Sequence, residues 1–114
     1  MPTLPLATQK EMTFSHGTAI GLGTRWEGGQ YCAILTRLGL VGCGIYDTRI
    51  AAQFGQAVAI CRGTPARPLV EPEDLLEALV RELTPQAEAL GVRLGMTGRE
   101  AVEAMLRAGE NAVG

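Results

Sequence analysis

Between Thr18 and Cys61 short apolar runs alternate with glycine-marked turns, and that spacing commits the first half of this chain to a sheet. In Thr18–Trp26 the larger side chains Ile20, Leu22 and Trp26 share one face, with Ala19, Gly21 and Gly23 on the other. A period of two predicts a strand packed on one face. Glu27-Gly-Gly-Gln30 supplies the positive-φ residues of a two-residue hairpin turn. Tyr31–Thr36 is apolar almost throughout, which predicts a strand covered on both faces. Gly39 marks the next turn, Leu40–Ile45 reads as a further strand, and Gln56–Cys61 as another buried one. Gly21, Gly23, Gly42 and Gly44 fall inside these predicted strands, where glycine is unfavourable unless something approaches the backbone closely. Another packed sheet, from a second subunit included, is the plain explanation; a ligand against the backbone is the sharper one.

The second half reads as helical. Asp47 precedes a short helix over Thr48–Gly55, expected to face Ile50, Ala51 and Phe54 inward and to stop at Gly55. Arg62–Pro68 is a loop by its glycine and prolines. Pro72 suits a first helical turn, and Leu75, Leu76, Leu79, Val80 and Leu83 form an apolar stripe at helical spacing, with a Glu77–Arg81 pair on the wet side. Thr84-Pro85 starts a second short helix that ends at Leu90-Gly91, and Val92–Leu94 is a short strand or extended link. Thr97 and Glu100 form a capping box, in which each side chain satisfies a free N–H at a helix start. The helix that follows, from about Gly98 to Ala108, should bury Val102, Met105 and Leu106 and stop at Gly109. The expected fold is α+β: a two-layer α/β sandwich, with a mostly antiparallel N-terminal sheet followed by C-terminal helices.

A chain of 114 residues fits one domain over 1–114, and 46 % hydrophobic residues suffice for a core. A formal charge of −2, with the basic residues spread along the chain, argues against nucleic acid or an anionic membrane as partner. No apolar run approaches the roughly 20 residues that span a bilayer. The start, Met1–Leu6, lacks a basic segment followed by an apolar block, so a cytoplasmic location is expected. Cys32, Cys43 and Cys61 are odd in number, widely spaced and set in apolar segments, as buried reduced thiols are. With a single histidine they give no metal-ligand spacing, so neither a metal site nor a cofactor is expected.

Gly42-Cys43-Gly44-Ile45-Tyr46-Asp47 is the constellation that could carry chemistry. A thiol beside a helix N-terminus can be stabilised as thiolate and turn nucleophilic, with Asp47 or His16 assisting. Against this, Asp47 is a good plain N-cap, its charge would raise a neighbouring thiol pKa, and His16-Gly17 reads as a surface turn. Arg62 and Arg67 flank the loop beyond the Ala57–Cys61 strand, where arginine can grip a carboxylate or phosphate bidentately. A small anionic ligand held by Gly42, Gly44, Arg62 and Arg67 is the binding-site expectation. Gly21-Leu-Gly23 lacks the third glycine and the following helix of a dinucleotide fingerprint; neither a phosphate-binding loop nor a nucleophile elbow occurs.

Cys43-Gly44 with Asp47, Asp74-Leu75-Leu76, Gly95-Met96 and Gly98-Arg99-Glu100-Ala101 together resemble the YunC-like proteins, a bacterial and archaeal family of unknown function. The resemblance covers roughly Gly17 to Leu106. It implies a two-layer α/β fold whose N-terminal sheet mediates oligomerisation, described for the family as tetramerisation. It implies no reaction. The Arg62–Pro68 loop departs from the family by being longer and richer in proline. Three readings follow: a homo-oligomer, dimer or tetramer, that binds a small molecule or partner; a cysteine-dependent enzyme using Cys43; and a structural or regulatory subunit acting through Trp26 and its hairpin.

Overall fold

A computed structural model describes residues 3–44 and 46–112, with side chains as far as Glu110. Its centre is a six-stranded sheet whose spatial order follows the chain: β1 Leu6–Phe14, β2 Gly17–Trp26, β3 Gly29–Leu35, β4 Gly39–Gly42, β5 Ala57–Arg62 and β6 Leu79–Leu83. Neighbours pair antiparallel except β4 with β5, which run parallel through a crossover containing helix α1, Thr48–Gln53. Helices α2, Pro85–Ala89, and α3, Gly98–Ala112, follow, so the α+β architecture with a mostly antiparallel sheet holds. Ile45, the expected end of the fourth strand, lies outside the described residues. Among the described residues no helix is long and apolar enough to cross a membrane.

The inner face of the sheet carries the main core. Cys32 and Ile34 of β3, Val41 of β4, and Ala59 and Cys61 of β5 pack there with Leu75, Val80, Val102 and Met105. The capping box forms as expected: Thr97 N–H donates to Glu100 Oε1 at 3.0 Å, and Glu100 N–H to Thr97 Oγ1 at 3.1 Å. The α3 helix then runs past Gly109 to Ala112 instead of stopping there. Gly109 has no positive φ, so nothing in its backbone obliges the helix to end.

The long predicted helix over Pro72–Leu83 does not form. Pro72–Leu76 makes one 3₁₀ turn, and the chain then extends into β6. Tertiary pairing overrides the helical spacing. Val80 N–H donates to Met96 O at 2.8 Å, Gly95 N–H to Val80 O at 2.9 Å and Gly98 N–H to Ala78 O at 2.8 Å, while β5 pairs along the other edge. Val80 thus buries as a strand residue with Leu79 and Leu83 half-buried, and Glu77 and Arg81 form no ion pair with each other.

β2 is packed on the opposite face from the one its large residues occupy. Ala19, Gly21 and Gly23 are buried, while Ile20 and Leu22 stay half-exposed and Trp26 is 44 % exposed. The close approach that the glycines allow comes from this same chain: a Cβ on Gly21 would lie 2.9 Å from Pro72 Cγ and 2.6 Å from Met12 Sδ. The 3₁₀ turn therefore sits directly on β2, and no second sheet is involved. On the outer face α1 covers β4 and β5, packing Ala51 with Val58 and Ile60. Ile50 and Phe54 do not face inward; they are 51 % and 73 % exposed.

Candidate functional site

The loop after β5 is a compact turn. Thr64 N–H donates to Arg67 O at 3.1 Å and Arg67 N–H to Thr64 O at 3.0 Å, with the Thr64 hydroxyl accepting from the same Arg67 amide at 3.1 Å. Pro65 occupies the second turn position, where its fixed φ suits the bend. Gly63 enters this turn so tightly that a Cβ there would lie 2.6 Å from Arg67 O.

Two concavities share the loop. One, of about 560 Å³, lies between the loop, the 3₁₀ turn and β6, with Arg62, Arg67, Arg81 and Glu77 at its rim over Leu69 and Leu79. Its volume is that of a small-molecule site. The other, of about 350 Å³, opens on the opposite side of the loop, where Cys43, Gly44 and Gln30 face Thr64 and Pro65. Gly44 has nothing within 4 Å of where a Cβ would stand, so its backbone is open. Gly42 is different: the Tyr46 ring would stand 2.6 Å from its Cβ. That ring makes an edge contact with Tyr31, centroids 6.0 Å apart, and burial pushes its hydroxyl up to about 12. Gly42 thus serves packing in this arrangement.

The charges around the larger concavity are unequally committed. Arg62 pairs with Glu82, which also accepts the Thr48 hydroxyl at 3.1 Å. Asp74 accepts from Val70 N–H and Glu71 N–H. Glu73 pairs with Lys10. Among the described residues Arg67 and Arg81 have no ion pair, so two guanidinium groups remain to meet an anion. Arg81 was not legible as a site residue, because in a helix it would have faced water beside Glu77.

The expected assistants of Cys43 lie elsewhere. Asp47 caps α1: its Oδ1 accepts from Arg49 N–H at 2.8 Å and Ile50 N–H at 3.4 Å, and the Arg49 amide bond leads in holding its carboxyl below the usual range. Asp47 borders a different depression, with Leu40 and Ile50. His16 docks on α3, with Nε2 3.1 Å from Arg107 Nη2 and Nδ1 3.5 Å from Glu110 Oε2. Neither residue lines the Cys43 concavity. Cys32 does meet Cys43: its amide lies 3.5 Å from Cys43 Sγ. Sequence spacing hid this pair, because the contact depends on the β3–β4 register. Among the described residues no group of three or more His, Cys, Asp or Glu side chains could hold a metal ion.

The family model described as a domain of unknown function (DUF1805) matches residues 42–105, more than half of the chain. That stretch starts at the Gly42–Gly44 segment and spans the loop, β6 and most of α3. A solved protein of unknown function, TA1206 from Thermoplasma acidophilum, is similar with a TM-score of 0.77 at 14 % identity, over 92 % of this chain and 98 % of that one. At such identity the likeness concerns the fold. No curated protein matches this chain. With its concavities built almost wholly from the matched stretch, the chain belongs to the DUF1805 family of unknown function.

Proposed function

We propose that the protein is a cytoplasmic homo-oligomer of the YunC-like kind, a dimer or tetramer, that binds a small anionic ligand in the concavity between the Arg62–Pro68 loop and β6. The observation that carries this reading is the outer face of β2 with Tyr31 and Leu35 of β3, which this chain leaves half-exposed. In the pairing register Ile20 stands beside Leu35, and Thr24 beside Tyr31. These residues are half-exposed, and Trp26 rests at 6.0 Å from Tyr31 at the end of the patch. α1 shields the same face only over β4 and β5. A contiguous apolar surface rimmed by polar β1 residues is the kind that subunit contacts cover. Arg67 and Arg81 then act as the anion-holding groups, with Arg62 kept in place by Glu82.

Native mass spectrometry of gently purified protein tests both parts. The expected spectrum shows two or four chains with a reproducible extra mass. Leu22→Glu, which puts a charge into the apolar face, is expected to shift the protein to monomer without unfolding it. Arg67→Ala combined with Arg81→Ala should leave the chain count unchanged and remove the extra mass. A wild-type monomer at micromolar concentration would overturn the assembly, and a bare oligomer the ligand.

A further inference from the structure

Cys32 and Cys43 stand opposite each other at the end of the β3–β4 pairing. In the β3–β4 ladder Ala33 stands opposite Gly42, so one step along the register brings Cys32 opposite Cys43. Cys43 N–H donates to Cys32 O at 3.2 Å, which closes that position. Directly opposite antiparallel residues have Cα atoms roughly 4.5–5.5 Å apart. A disulfide spans Cα separations of about 4.4–6.8 Å, so the pair can be bridged with little backbone movement. Both side chains belong to the inner-face cluster, so they point to the same side.

Their exposure differs in a useful way. Cys32 is 0 % exposed and Cys43 7 %, with Cys43 lining the concavity beneath Thr64 and Pro65. The hydrogen bond that the Cys32 thiol donates to Cys43 is the leading reason it is held far above its ordinary pKa, with burial next. A small oxidant entering by the concavity therefore meets Cys43 first. Cys61, also 0 % exposed, sits under the start of α3, and burial pushes its thiol up to about 12.

We propose that Cys43 and Cys32 form an oxidisable dithiol, with Cys43 the thiol that reacts with a small hydroperoxide and Cys32 the one that resolves it. The sulfur of Cys43 attacks the terminal oxygen of hydrogen peroxide. The O–O bond breaks, sulfenic acid forms on Cys43 and water leaves. The Cys32 sulfur then attacks the Cys43 sulfur. The S–S bond forms, the S–O bond breaks, and the departing hydroxyl takes the Cys32 proton as a second water. In sum two thiols are oxidised by two electrons and one peroxide is reduced to two waters. The role is separate from ligand binding and from assembly, and needs neither.

Peptide mapping by mass spectrometry decides it. Folded wild-type protein is treated with hydrogen peroxide, and the remaining thiols are blocked after denaturation. The expected product is one intramolecular Cys32–Cys43 disulfide, lighter by two hydrogens and reversed by dithiothreitol, with Cys61 still a thiol. In Cys32→Ser, dimedone should trap sulfenic acid at Cys43 about tenfold faster than it labels Cys61, following access to the thiol. Oxidation of Cys43 to sulfinic acid in wild type with Cys32 left reduced would overturn the proposal. So would inertness of all three thiols until the protein unfolds. The wild-type map answers the question by itself if the serine variant fails to fold.

Discussion

Replacing Gly98 by alanine should destabilise the protein by about 3 kcal/mol or more, among the largest effects of any single-atom-scale change in this fold. The cause is a backbone obstacle. A Cβ on Gly98 would overlap the carbonyl group of Leu75, the last turn of the 3₁₀ segment that seats on β2. A flexible side chain could swing aside; a carbonyl already fixed by its neighbours cannot. The Gly98 amide is also bonded to Ala78 O at 2.8 Å, which pins the start of α3 against the entry to β6. Thermal unfolding followed by circular dichroism measures the loss, at about 4 °C per kcal/mol for a domain of this size. Gly109→Ala supplies the opposite sign. Its Cβ would meet nothing nearer than Arg37 Nη2 at 3.7 Å, and alanine inside a helix gains about 0.5–1 kcal/mol over glycine. A melting point for Gly98→Ala within 2 °C of wild type, on that same scale, would show that the contact between α3 and the 3₁₀ turn is looser than described.

The second large effect is expected at Thr84, which is buried with 1 % of its surface exposed. Its hydroxyl donates to Gln56 O at 2.8 Å and accepts from Val58 N–H at 3.1 Å and Ala87 N–H at 3.2 Å. One oxygen thus caps α2 and satisfies the start of β5. Thr84→Val keeps the shape and removes all three bonds. Loss of the cap costs about 1 kcal/mol. The buried Val58 amide, stripped of a partner, adds about 1–3 kcal/mol. Thr84→Ser should recover most of the deficit, since it restores the oxygen, while alanine should not. If serine melts with valine, the hydroxyl bonds are not what holds α2 to β5.

Much of this arrangement could be read from the residues. Glycine at the turns and the Thr97/Glu100 capping box each express a local requirement and form where their residues predict; the apolar run of Tyr31–Leu35 forms its strand, but Tyr31 and Leu35 stay half-exposed and the expected cover on both faces is incomplete. The failures have separate causes. Leu75–Leu83 satisfies helical spacing, but its backbone groups find partners on β5 and on residues 95–98, which no local pattern reveals. The strand β1, rich in Thr, Gln, Lys and Glu, gave no apolar alternation to find. Ile20, Leu22 and Trp26 correctly marked a face of β2, yet hydrophobicity did not say that the glycine face would take the interior. At the site, Cys43 and the Arg62–Pro68 loop were visible as unusual residues in unusual places. Their common boundary, and the juxtaposition of Cys43 with Cys32, arises only when β3, β4 and the loop converge.

The sheet also has unequal ends. Over Ala78–Val80 the β6 end is hydrogen-bonded to residues 95–98, whereas β1, nine residues long, closes the other end with exposed Gln9, Lys10 and Glu11. Charged side chains on an edge discourage strand addition. Should they fail, as in a charge-neutralised variant, β1 is the longer unpaired edge, and its pairing with the β1 of a second copy gives an antiparallel, twofold-related pair.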